Sequence, residues 1–141
     1  MSSELRLALP VRLSALRDLS GKVEAFGETN RLPAQKVFVI NLALDELITN
    51  AVTHGSFEHT SDPKIEIYLR VNEDVLLLTM EDNGAMFDPT LDTAPDLESS
   101  LEVRTVGGLG LHLVKTFADR VAYEFVEGRN RLTLEHDLKP H

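Results

Sequence analysis

The sequence predicts an α+β fold: a two-layer sandwich in which a mainly antiparallel mixed sheet is covered on one face by about three helices. Three observations lead there. Stretches that alternate apolar with polar residues occur near the start, the middle and the end of the chain, as half-buried strands do. Two long stretches with apolar residues at helical spacing lie between the first and second of these, and a third helical stretch follows a glycine cluster before the last strands. At 141 residues the chain has the size of one domain, spanning 1–141, with material for a single core.

The elements follow in order. Glu4 to Leu9 places Leu5, Leu7 and Leu9 on one side and stops at Pro10, which predicts a short strand at a sheet edge. Leu13, Leu16, Leu19, Val23 and Phe26 mark an amphipathic helix, and Gly27 to Arg31 supplies a polar turn. Pro33 suits the first turn of the next helix, where its missing donor costs nothing; the apolar pattern then runs through Phe38, Ile40 and Leu44 to Val52 and stops near Gly55. Ile65, Ile67, Leu69 and Val71 alternate with polar partners, Asn72-Glu73-Asp74 turns the chain, and Val75 to Met80 is an apolar run that reads as a strand buried on both faces of a hairpin. From Gly84 to Val106 periodicity is lost, and a loop of that length in a compact domain points to a functional lid. Val106 to Val121 carries Gly107, Gly108 and Gly110 into a helix, and Ala122–Val126 and Arg131–Leu134 form a last hairpin through Glu127-Gly128-Arg129-Asn130.

Composition removes several functions. With 23 acidic against 14 basic residues the formal net charge is -9, which repels a phosphate backbone, so neither direct nucleic-acid binding nor an anionic-membrane anchor is expected. There is no cysteine, hence no disulfide and no zinc-thiolate site. No apolar run reaches membrane-spanning length, and MSSELRLALP lacks the pattern of a signal peptide; the expectation is a cytoplasmic protein without a membrane anchor. The five histidines show no metal-ligand spacing, and no serine has a histidine and an acid evidently arranged around it.

Three clusters carry polar chemistry. In LALDELITNAVTHG, Leu42 to Gly55, Glu46 and Asn50 stand four apart and project from one helix face, where an acid and an amide can share a ligand; the same spacing also suits a polar stripe facing solvent. Asp82-Asn83-Gly84 is a turn signal after a strand. Gly107-Gly108-Leu109-Gly110 exposes backbone donors at a helix start, as a flexible connection also would.

In that order the clusters resemble the nucleotide site of the GHKL (Bergerat-fold) ATPase superfamily, over roughly residues 5 to 135. LALDELITNAVTHG looks like its acid-and-asparagine helix, EDNGAMFDP like its adenine-contacting segment, and GGLGLHLV like the glycine-rich segment after its ATP lid, here about 84–107. The forms DELITNAVTHG and FDP are most similar to anti-sigma-factor serine-protein kinases. That resemblance implies ATP and Mg2+ as cofactors, a sigma factor and an anti-anti-sigma (STAS-type) antagonist as partners, and a possible homodimer. It implies that Asn50 gives its amide oxygen to magnesium, that Glu46 acts as general base, and that Asp82 accepts the adenine amino group beside Gly84. Gly107, Gly108 and Gly110 would hold phosphate oxygens.

The pattern departs at one place: Met86 stands where the family has a second glycine, and its bulk could narrow the pocket or lie along the base. It favours the alternative function, a non-catalytic interaction module of the same fold with a structural nucleotide or none. His54 reads as a helix-end residue that caps or packs, and Arg104, ahead of the glycines, as a solvated charge.

Overall fold

The computed structural model describes residues 3–91, 114–116 and 118–139. Its sheet has five strands in the order β1-β2-β3-β5-β4: β1 (Glu4–Pro10), β2 (Lys64–Asn72), β3 (Val75–Asp82), β4 (Arg120–Val126) and β5 (Arg129–Asp137). Every pairing is antiparallel, so the mixed character expected of the sheet is absent among the described residues. β1 is an edge strand, as its breaker predicts. Two long helices, α1 (Ala15–Thr29) and α2 (Ala34–His54), precede β2; Pro89–Leu91 forms a 3-10 turn, and residues 114–116 are helical.

One face of the sheet carries the core. Ile65, Ile67 and Leu69 of β2, Leu76, Leu78 and Met80 of β3, and Leu132 and Leu134 of β5 are buried against Leu19, Val23 and Phe26 of α1 and Ile40, Leu44, Leu47 and Ile48 of α2. Period-two burial puts every second strand residue on this face. The opposite face is open and charged: Arg131 pairs with Glu81 and Glu124, and Arg129 reaches both Glu66 and Glu81. β3 is therefore buried on one face rather than two. Val75 and Leu77 are apolar but half-buried on the open side, where Leu77 stands between Arg70 and Glu135, and an apolar run alone does not distinguish the two cases.

The boundaries have local causes. Asn30 ends α1 by donating from its side-chain amide to the Phe26 carbonyl at 2.9 Å, four residues beyond that last apolar position of the sequence pattern, and Gly27 lies inside the helix rather than in a turn. Pro33 caps α2, and Gly55 closes it with a backbone bond to Ala51. The β4–β5 turn is tighter than the sequence pattern predicts: only Glu127 and Gly128 lie outside the strands, both at positive φ (53° and 76°), the geometry of a two-residue hairpin turn. Arg129 and Asn130 belong to β5 and pair with Val126 and Phe125.

Candidate functional site

α2 runs beneath the sheet for 21 residues, about 31 Å at 1.5 Å per residue, and turns Asn50 toward the end of β3. Asn50, Leu47 and Ala51 form one wall of a pocket; Met80, Asp82 and Leu132 form its floor, and Phe87, Pro89, Tyr123 and Asn130 complete it. The cavity they line is small, about 40 Å3. Asn50 and Asp82, named from separate stretches of sequence, thus meet at one cavity. Glu46 lies one turn earlier on α2, half-buried, and its Oε2 is buried with no partner among the described residues. Burial and, after it, the neighbouring Asp45 carboxylate hold the Glu46 carboxyl above its ordinary range.

Asp82 closes β3 on the covered face, opposite Asn130 in the register. Its Oδ1 accepts two hydrogen bonds, from the Gly84 backbone N–H at 2.9 Å and from the Asn130 amide at 2.8 Å. With one oxygen saturated, the carboxylate is fixed in rotation and its second oxygen remains able to accept from a ligand. The Asn50 side-chain amide makes no hydrogen bond to the described residues.

Asn130 is the residue that sequence reasoning missed. It is 6% exposed, and beyond Asp82 its amide nitrogen donates to the Ala85 and Gly84 carbonyls, while its oxygen accepts from the Phe87 N–H at 2.9 Å and from the Tyr123 hydroxyl. Acceptors on one side and donors on the other permit one amide orientation only. Burial pushes the Tyr123 phenol up, the Asp88 and Asp82 carboxylates adding to it, so the hydroxyl stays a donor at neutral pH. A polar residue that alternates into register with Leu132 and Leu134 is the signal that could have found it, had the turn been read as two residues.

The segment after Asp82 is held from the other side by the loop after α2. Asn83 accepts from the Lys64 N–H and donates to the Asp62 carbonyl, His59 Nε2 bonds the Asn83 carbonyl, and Ala85 donates to Ser56 at 2.7 Å. Gly84 is buried there. Met86 is 67% exposed and takes no part in the cavity wall; Phe87 and Pro89 supply that wall instead, so the missing second glycine does not narrow the pocket. Beyond the 3-10 turn, Lys115 ties the segment to the helical residues by donating to the Thr90 carbonyl at 2.8 Å. His54 is exposed as the last residue of α2. Gly107, Gly108, Gly110, Arg104 and most of the expected lid fall outside the described residues.

Comparison with known proteins matches residues 9–135 to the histidine kinase-like ATPase domain. The chain belongs to that family. The serine/threonine-protein kinase BtrW of Bordetella bronchiseptica is 32% identical over 134 residues, covering 95% of this chain and 94% of that protein. The serine-protein kinase RsbW of Listeria monocytogenes is 35% identical over 95 residues, 63% of this chain and 59% of that protein, so the match to it spans little more than half its length. A solved structure of the RsbU and RsbW domains of a Mycobacterium tuberculosis protein shares the fold, with a TM-score of 0.68 at 15% identity over 97% of this chain and 32% of that one. The histidine kinase-like ATPase fold accounts for the helices gathered on one sheet face and for a pocket between the two layers. No described helix is long and apolar enough to cross a membrane.

Proposed function

We propose that the chain binds magnesium-ATP and transfers its γ-phosphoryl group to a serine of an anti-anti-sigma (STAS-type) antagonist, and that it sequesters a sigma factor until the antagonist displaces it, in the cytoplasm. The observation that carries this reading is the Asn50 amide sharing a pocket with the fixed Asp82 carboxylate, with the Glu46 carboxyl one turn earlier on the same helix. The donor set suits the cofactor. A neutral amide at Asn50 can hold a cation that already has phosphate oxygens and water around it, and Asp82 offers one free oxygen to an exocyclic amino group. Bound magnesium would neutralise phosphate charge; the remaining chemistry belongs to the chain. Glu46, with one oxygen unpartnered and its affinity for a proton raised, takes the proton of the attacking serine hydroxyl at Oε2, a role worth roughly a hundredfold to ten-thousandfold in rate. Gly107, Gly108 and Gly110 complete the reading as phosphate donors, with residues 84–107 as the lid.

The kinase names of relatives at 32% and 35% identity support transfer over simple nucleotide storage. Met86, exposed and outside the cavity lining, is compatible with nucleotide binding and so supports this reading over an empty module. The test incubates the protein with magnesium and labelled ATP, with and without STAS-type antagonists, and reads nucleotide retention and serine phosphorylation together. Retention with serine labelling is expected, Glu46→Ala keeping the first and losing the second; equal labelling by both proteins would refute the base.

A further inference from the structure

A phenyl ring joins the two halves of the pocket. Phe57, half-buried in the loop after α2, lies against both Gly55, which closes the helix carrying Asn50, and Gly84, which follows Asp82. A Cβ built at Gly84 would stand 3.0 Å from Cζ and 3.1 Å from Cε1 of this ring, and 3.1 Å from Asp82 Oδ1. One built at Gly55 would stand 2.8 Å from Cε2 of the same ring and 2.3 Å from the Ala51 carbonyl oxygen. Both glycines are in contact with one side chain, and the Ser56–Ala85 backbone bond at 2.7 Å clamps the same junction.

We infer that Phe57 is a positioning residue for the nucleotide site, the spacer that sets the separation between the helix bearing Glu46 and Asn50 and the strand end bearing Asp82. The ring packs on the backbone of each half, so its thickness fixes how closely they approach; the Asn83 side chain, donating to the Asp62 carbonyl and accepting from the Lys64 N–H, keeps the loop from sliding around it. An added methyl at Gly84 presses on both the ring and the Asp82 carboxylate, one of which has to give by a few tenths of an ångström, and a turned carboxylate misdirects the oxygen meant for the adenine. The inference rests on the nucleotide reading of this pocket.

A mutant cycle tests it, with ATP affinity measured by calorimetry under conditions where circular dichroism shows every variant folded, and urea unfolding followed in parallel. Gly84→Ala is expected to weaken ATP about tenfold, and Phe57→Leu in that background to restore most of the loss, because the shorter side chain vacates the space the methyl needs. The same Phe57→Leu change leaves Gly55→Ala unrescued, since the Ala51 carbonyl remains in place. Additive effects at 57 and 84, or urea midpoints that move while ATP affinity does not, overturn the positioning role. Wild-type protein that fails to retain ATP while the unfolding cycle stays coupled overturns it by another route, through the nucleotide reading it depends on.

Discussion

Replacing Asn130 by alanine removes the group that orders the sheet side of the pocket, and the cost can be worked from its partners. The wild-type amide satisfies the Asp82 carboxylate at 2.8 Å, the Ala85 carbonyl at 2.9 Å and the Phe87 N–H at 2.9 Å, from a side chain only 6% exposed. A buried donor left without a partner costs about 1–3 kcal/mol, and a hydrogen bond to an ionised acceptor contributes about 1.5–3 kcal/mol. Asp82 keeps its Gly84 bond and water can reach Tyr123, so the losses do not sum in full; about 2–4 kcal/mol of folding stability is expected to disappear. Urea denaturation measures that. The second readout is selectivity: a loosened Asp82 should lower affinity for ATP about tenfold, yet barely alter binding of the purine riboside triphosphate, which lacks the amino group. A variant whose stability lies within about 0.5 kcal/mol of wild type and whose ATP preference is intact would refute the reasoning.

Two further outcomes concern titration. The Glu46 carboxyl is raised from 4.5 by burial and by Asp45, so the acidic limb of the phosphotransfer pH profile should have its midpoint above that value, and Asp45→Asn should move the limb to lower pH; an unmoved limb counts against Glu46 as the base. His136 is 1% exposed, with neither ring nitrogen hydrogen-bonded among the described residues, and burial, aided by Lys36, lowers its proton affinity below 6.5 while Asp119 and Asp137 partly oppose the shift. The unfolded chain then binds the extra proton, so stability is complete above pH 6.5 and falls with acidification, by at most about 1.4 kcal/mol per pH unit from this group. His136→Leu should flatten the difference in urea midpoint between pH 7.5 and 5.5, and parallel curves would show that the imidazole is not responsible.

Much of this architecture was legible because its determinants are local. The β2 alternation, Pro33 before α2 and Gly55 after it each settle one boundary through a single physical requirement: burial of one face, a missing donor, the end of the helical pattern. Asn50 and Asp82 could be paired from motif order alone. What escaped depends on partners distant in the chain. Val75 and Leu77 read as core residues, but among the described residues no second layer covers that face of the sheet. Asn130 reads as a turn residue, and only the positive φ of Glu127 and Gly128 moves it into β5, where its polarity serves Asp82. Met86 could be placed neither in nor out of the pocket until its exposure was known.

The division of the pocket between the two layers has a consequence for how the domain can change. Glu46 and Asn50 belong to one rigid body, a helix turn whose internal spacing is set by backbone geometry, while Asp82 and Asn130 belong to another, a pair of registered strands. The helix side and the strand side of the pocket are thus separately editable, each able to vary without re-inventing its opposite number. Their mutual distance is the one dimension that neither secondary structure encodes. It is held by side chains at a seam, where a substitution of a few atoms can retune the whole without disturbing either part.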